Sequence, residues 1–120
     1  MKRTFAALVE HSSGWKTGTP PQEQTGFAAH AQYMAGLEAE GFIALAGLMK
    51  DSGDVLFIFR ADSEAEVRRR VSQDPWQQDG HVRLVRVEEI AVRIGLSPQE
   101  PPAGTPASGS TPAETSRRSG

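Results

Sequence analysis

The sequence contains no cysteine, which excludes disulfides, thiolate metal sites and a cysteine nucleophile. An excess of one charge is missing as well. Thirteen Lys and Arg stand against 15 Asp and Glu, a formal net charge of −2. No broad positive field is therefore available to hold nucleic acid. The short run Arg68-Arg69-Arg70 sits beside Glu64 and Glu66 on an expected helix and reads as a solvated face. No apolar run approaches the roughly 20 residues that span a bilayer. The apolar stretch after Met1 is broken at Glu10 and His11, too early for a secretory signal. No Gly-rich phosphate loop, nucleophile elbow or paired-carboxylate motif occurs. His11, His30 and His81 are enough in number for a metal site, but their spacing matches no metal-ligand motif. The expectation is a cytoplasmic chain with no metal, no cofactor, no membrane and no nucleic-acid partner.

Large apolar side chains are also missing from one end. After Leu96 there is none, and residues 96–120 hold five of the eight prolines among many Ser, Thr, Gly and Ala. Such a segment cannot offset its ordering entropy by burial. It is expected to be a disordered tail, dispensable for folding. Residues 1–95 then form one domain, with 11 Lys and Arg against 13 Asp and Glu.

Within that domain the pattern alternates between strand and helix. Thr4–Val9 reads as a strand, and residues 11–21, with Gly14, Gly18, Pro20 and Pro21, as a loop. Residues 22–40 read as a helix opened by the prolines, with Phe27, His30, Ala31, Met34 and Leu37 on one face and Gly41 as its stop. Phe42–Met49 and Val55–Phe59 are two β-rich runs joined by Lys50-Asp51-Ser52-Gly53-Asp54, a hairpin signal. The second run is apolar throughout, which predicts a central strand covered on both faces. Ser63-Glu64-Ala65-Glu66 is a capping box that starts a helix to about Gln73. Asp74-Pro75 ends it, because the residue before proline leaves helical geometry. A last strand runs from Val82 to about Ile94. The order β-α-β-β-α-β is the ferredoxin-like α+β arrangement. It predicts a four-stranded antiparallel sheet with both helices on one face. The bare face of such a sheet is best covered by a second copy, which predicts a homodimer.

Several of these residues in order resemble the YCII-related domain family over about residues 4–94. They are Gln24 before His30 on the first helix, Leu37 through Gly41 into Phe42-Ile43-Ala44-Leu45-Ala46-Gly47, then Ala61-Asp62-Ser63-Glu64-Ala65-Glu66, then Asp74-Pro75-Trp76 and Gly80. The resemblance implies a dimeric α/β barrel built on the ferredoxin-like fold. It also implies an active site formed by His30 and Asp74. Some relatives are dehydrochlorinases, and others are grouped near muconolactone isomerase. In the family the Gly ending the second strand is often followed by Pro, whereas here the pair is Gly47-Leu48. The pocket wall at Gly47 departs from the family pattern to that extent.

His30 is informative on physical grounds too, because it lies on the apolar stripe of its helix. An imidazole can give or take a proton near neutrality. A carboxylate bonded to one of its nitrogens fixes the tautomer and leaves the other for acid–base work. The bland alternative is a satisfied core histidine, with Asp74 merely capping the turn ahead of Pro75. Trp76 and Trp15 either pack on the sheet edge or line a pocket. Gln24 is either a surface residue or a hydrogen-bonding partner for a ligand. Two functional readings follow. One is a cofactor-independent enzyme in which His30 moves a proton and Asp74 orients it, acting on a small organic substrate by elimination or isomerisation. The other is a non-catalytic dimeric module that binds a small molecule or a partner.

Overall fold

The computed structural model describes residues 1–95; the expected tail, 96–120, lies outside them. Four strands form one antiparallel sheet in the order β2-β3-β1-β4. They are β1 (Arg3–His11), β2 (Ile43–Leu48), β3 (Val55–Ala61) and β4 (Val82–Ile90). Helices α1 (Phe27–Ala39), α2 (Glu64–Ser72) and the short α3 (Pro75–Gln78) connect them. This is the ferredoxin-like α+β fold.

Alternation along the strands decides which face is covered. Phe5, Ala7 and Val9 of β1 and Phe57, Phe59 and Ala61 of β3 all point to the helices and are buried. Phe5 lies directly opposite Phe59 in the ladder, and Phe59 also meets Phe42 and Phe57 at 5.1 and 5.0 Å between ring centroids. Phe5, Phe59, Leu37 and Val67 are the largest fully buried side chains. Each such burial stabilises the fold by about 1.5–3 kcal/mol. The other face carries Leu8, Leu56, Ile58 and Leu45, brought into line by the strand register. Leu45, Leu56 and Val85 are exposed. β3 is therefore central, as its apolar run predicts, but covered on one face only within a single chain.

The element ends differ from expectation in physically clear ways. The first helix begins at Phe27 and not at 22. Pro21–Glu23 forms a 3₁₀ turn instead, and Gly26 breaks the chain with φ of 80° before α1 starts. That left-handed conformation suits glycine and is strained for other residues. The last strand stops at Ile90 and not at Ile94, where pairing with β1 runs out opposite Thr4. The capping box forms with a variation. Ser63 Oγ accepts from the Glu66 backbone N–H at 3.1 Å, while Glu66 reaches the N–H of Asp62 at 2.8 Å, one residue before the cap.

Helix α2 is tied to α1 by the Arg run. Arg70 Nη2 donates to both carboxylate oxygens of Glu40, at 2.8 and 2.9 Å, and the guanidinium lies over the Phe42 ring. The Tyr33 hydroxyl donates to the Arg70 carbonyl at 2.6 Å. Arg68 pairs with Glu64 one turn away, on the solvated side.

Candidate active site

The site is built where α1 passes the turn that follows α2. Pro75 forces Asp74 out of helical geometry, and Asp74 becomes the N-cap of α3. Its Oδ1 accepts from the Trp76 backbone N–H at 3.0 Å. The same carboxylate faces the imidazole of His30, whose Nδ1 lies 2.9 Å from Oδ1 and 3.0 Å from Oδ2. The capping role and the paired role therefore coexist in one side chain. The Asp74 side chain is only 4% exposed and that of His30 19% exposed, so the contact is largely shielded from water.

Trp76 supports the imidazole from its flat side. The two rings stack at 3.9 Å with 13° between planes. The Trp76 indole N–H donates to the Thr25 carbonyl at 2.9 Å, which fixes the ring. Trp15 meets Trp76 edge-on at 5.3 Å, and His11 stacks flat on Trp15 at 3.7 Å. The loop that carries Trp15 is held against the turn before β4. Ser12 N–H donates to His81 O, and Gly14 N–H to Gly80 O, both at 2.8 Å. A Cβ on Gly14 would stand 3.0 Å from the Gly80 carbonyl carbon, so a larger residue here would have to push the two backbones apart by a few tenths of an ångström.

These residues enclose one side of a cavity of about 640 Å³ between α1 and the β2–β3 half of the sheet. Its wall is mainly apolar, with Phe27, Met34, Phe57 and Ile43. His30 and Asp74 stand on it, as do Trp15, Trp76 and His11. The apolar stripe of α1 is thus only partly used as core. Leu37 is buried, while Phe27, His30, Ala31 and Met34 face the cavity. A second hollow of about 350 Å³ lies between α1 and α2, beside Tyr33, Glu40 and Arg70. It holds no imidazole, and its charged groups Glu40 and Arg70 are paired with each other.

Of the residues singled out in the sequence, His30, Asp74, Trp15 and Trp76 come together. Gln24 and Gly47 do not join them. Gln24 is buried, but its amide is engaged with the loop, accepting from Lys16 N–H and donating to the carbonyls of Lys16 and Thr19, all at 2.9 Å. Gly47 is paired with Leu56 and lies on the open face of the sheet. Two further groups escape sequence reading. His11 ends β1 on the cavity wall. Burial lowers its imidazole below the ordinary value, against the nearby Asp54 carboxylate, which raises it. Asp79 and His81 form a second pair, with Nδ1 2.7 Å from Oδ1. Burial raises the Asp79 carboxyl, but the hydrogen bonds from the His81 side chain and backbone outweigh it and hold the group below its usual range. The Asp-x-His spacing of a turn that bonds its own backbone was the available signal, since Asp79 Oδ1 also accepts from His81 N–H at 3.0 Å. Among the described residues no three His, Asp or Glu side chains converge as a metal site would need, and no helix is long and apolar enough to cross a membrane.

Fold and site together define a small ferredoxin-like domain with a partly buried His–Asp contact on a mainly apolar cavity. Residues 5–91 match the YCII-related domain, and the chain belongs to that family. No curated protein sequence matches it. Among solved structures it is similar to 5-chloro-2-hydroxyhydroquinone dehydrochlorinase from Burkholderia phenoliruptrix AC1100, in complex with 2,5-dihydroxybenzoquinone. The TM-score is 0.51 at 22% sequence identity, over 77% of this chain and 95% of that one. At that identity the likeness speaks for the fold.

Proposed function

We propose that the chain is a cofactor-independent enzyme that moves a proton on a small cyclic, oxygen-substituted compound, with elimination or isomerisation as the outcome. The observation that carries this reading is the His30–Asp74 contact at 2.9 Å on the wall of the apolar cavity. With Asp74 holding Nδ1–H, the Nε2 lone pair of His30 is the base. It takes a proton from a carbon or hydroxyl of the substrate. The electron pair left behind forms a new double bond and expels a leaving group as its anion, or shifts the unsaturation along the ring. His30 then returns the proton to the anion, to water or to another ring carbon. Electrons move only within the substrate, so this reaction class needs no redox partner. A neighbour in fold that performs dehydrochlorination and holds a quinone supports the substrate class.

The test is chloride release and ring absorbance with 5-chloro-2-hydroxyhydroquinone, followed by other halogenated or unsaturated oxygenated rings. Turnover should fall by about 10²–10⁴-fold in His30→Ala. Turnover unchanged in His30→Ala sinks the enzyme reading. Ligand affinity unaltered by His30→Gln, without turnover in the wild type, would instead favour a binding module. The reading extends to a cytoplasmic homodimer joined through the open sheet face. Leu45 and Leu56 are exposed there.

A further inference from the structure

His11 differs from the other two histidines in what surrounds its nitrogens. His30 and His81 each have Nδ1 taken up by a carboxylate. Among the described residues neither ring nitrogen of His11 has a hydrogen-bond partner, although the ring itself is held flat against Trp15 at 3.7 Å and 5°. The side chain stands at the end of β1, exposed to solvent on the rim of the cavity wall, beside the inward-facing Val9. From there a continuous series of rings leads through Trp15 and Trp76 to His30, in steps of 3.7, 5.3 and 3.9 Å. An imidazole fixed in orientation, with both nitrogens unengaged, on a wall that is otherwise mainly apolar is placed to bind something polar that enters the cavity.

We propose that His11 is the second ligand-binding side chain of this cavity, hydrogen-bonding the oxygen of a ring compound at the end away from His30. The proposal rests on reading the cavity as a small-ring site, and it narrows the substrate class to rings oxygenated at two separated positions. Partial desolvation against Trp15 and the cavity wall holds the imidazole below its ordinary value although the residue is exposed, with Asp54 opposing. At neutral pH it therefore binds as an uncharged group, able to donate to a carbonyl or accept from a hydroxyl. His11 does not touch the proton that His30 moves, and its role is selection. Trp15 serves as the platform that sets the angle of its ring.

The experiment compares two probes on the full chain, 2,5-dihydroxybenzoquinone and phenol, by titration calorimetry. His11→Phe keeps an aromatic ring against Trp15 and removes both nitrogens. Affinity for the quinone should fall about three- to tenfold, one hydrogen bond's worth, while phenol, which has one oxygen for His30, is unaffected. His30→Gln should weaken both probes. Equal quinone affinity in wild type and His11→Phe overturns the proposal and leaves the His30 reading standing. Equal loss for both probes also overturns it, since that is the mark of a distorted cavity. Loss in His11→Phe with none in His30→Gln upholds His11 and overturns the His30 reading. Failure of the wild type to bind either probe overturns both. Should His11→Phe not fold, the imidazole ¹⁵N resonances of His11 in the wild type decide the matter. They should shift with the quinone and stay still with phenol, and no shift with either overturns the proposal.

Discussion

Asp74 accepts hydrogen bonds from two directions, and the two can be separated by substitution. Asparagine retains an oxygen for the Trp76 N–H, so Asp74→Asn should keep the α3 cap. It removes the charge that selects the Nδ1–H tautomer of His30. Turnover is expected to drop steeply, with the denaturation midpoint nearly unchanged. Asp74→Ala loses the cap as well and should cost about 1 kcal/mol or more in chemical denaturation. A similar stability loss in both variants would show that the charge, and not the cap, holds the turn. A pH effect belongs to His11. Partial desolvation depresses its folded value although the residue is exposed, so the unfolded chain binds slightly more protons between the folded value and about 6.5. Stability from this group is complete above the unfolded value and is lost as pH falls through the folded one. Because His11 is exposed, the contribution is small, and His11→Phe should slightly flatten that part of the stability–pH curve, measured by urea denaturation from about pH 5 to pH 7.

At the scale of elements, the turns around the cavity matter more than the helices. Gln24 ties Lys16 to Thr19 and so sets the loop that presents Trp15. Gln24→Ala leaves three partly shielded backbone groups of the loop without their partner and should cost about 1 kcal/mol. It should also weaken quinone binding, although Gln24 touches no ligand in the proposed site. Gly26→Ala forces a methyl-bearing residue into φ of 80° and should cost about 1–2 kcal/mol. Thermal melts of both variants check these values. The strands and the two longer helices were legible because their apolar periods are long enough to read, as in Phe5, Ala7 and Val9. Helix α3 was not legible, since four residues carry no period. The start of α1 was misplaced because the prolines at 20 and 21 open a 3₁₀ turn as readily as a helix. His30 and Asp74 were legible through the apolar stripe, the Asp-Pro pair and the family resemblance. His11 was not, because its place on the cavity depends on how a strand end meets a distant loop.

For the molecule as a whole, the sheet divides two tasks between its faces. One face anchors the helices and the cavity; the other presents Leu8, Leu45, Leu56 and Ile58. The proposed homodimer predicts a concentration-dependent sedimentation coefficient for the wild type and a monomer for Leu56→Glu. A wild type that stays monomeric at high concentration would refute that assignment. The ring series has an optical consequence. The chain has two tryptophans, and each is stacked on an imidazole, Trp15 on His11 and Trp76 on His30 and His81. Protonated imidazole quenches indole emission on contact. The intrinsic fluorescence of this protein is therefore expected to report, without a label, on changes in the surroundings of these imidazoles, the proposed ring ligand included.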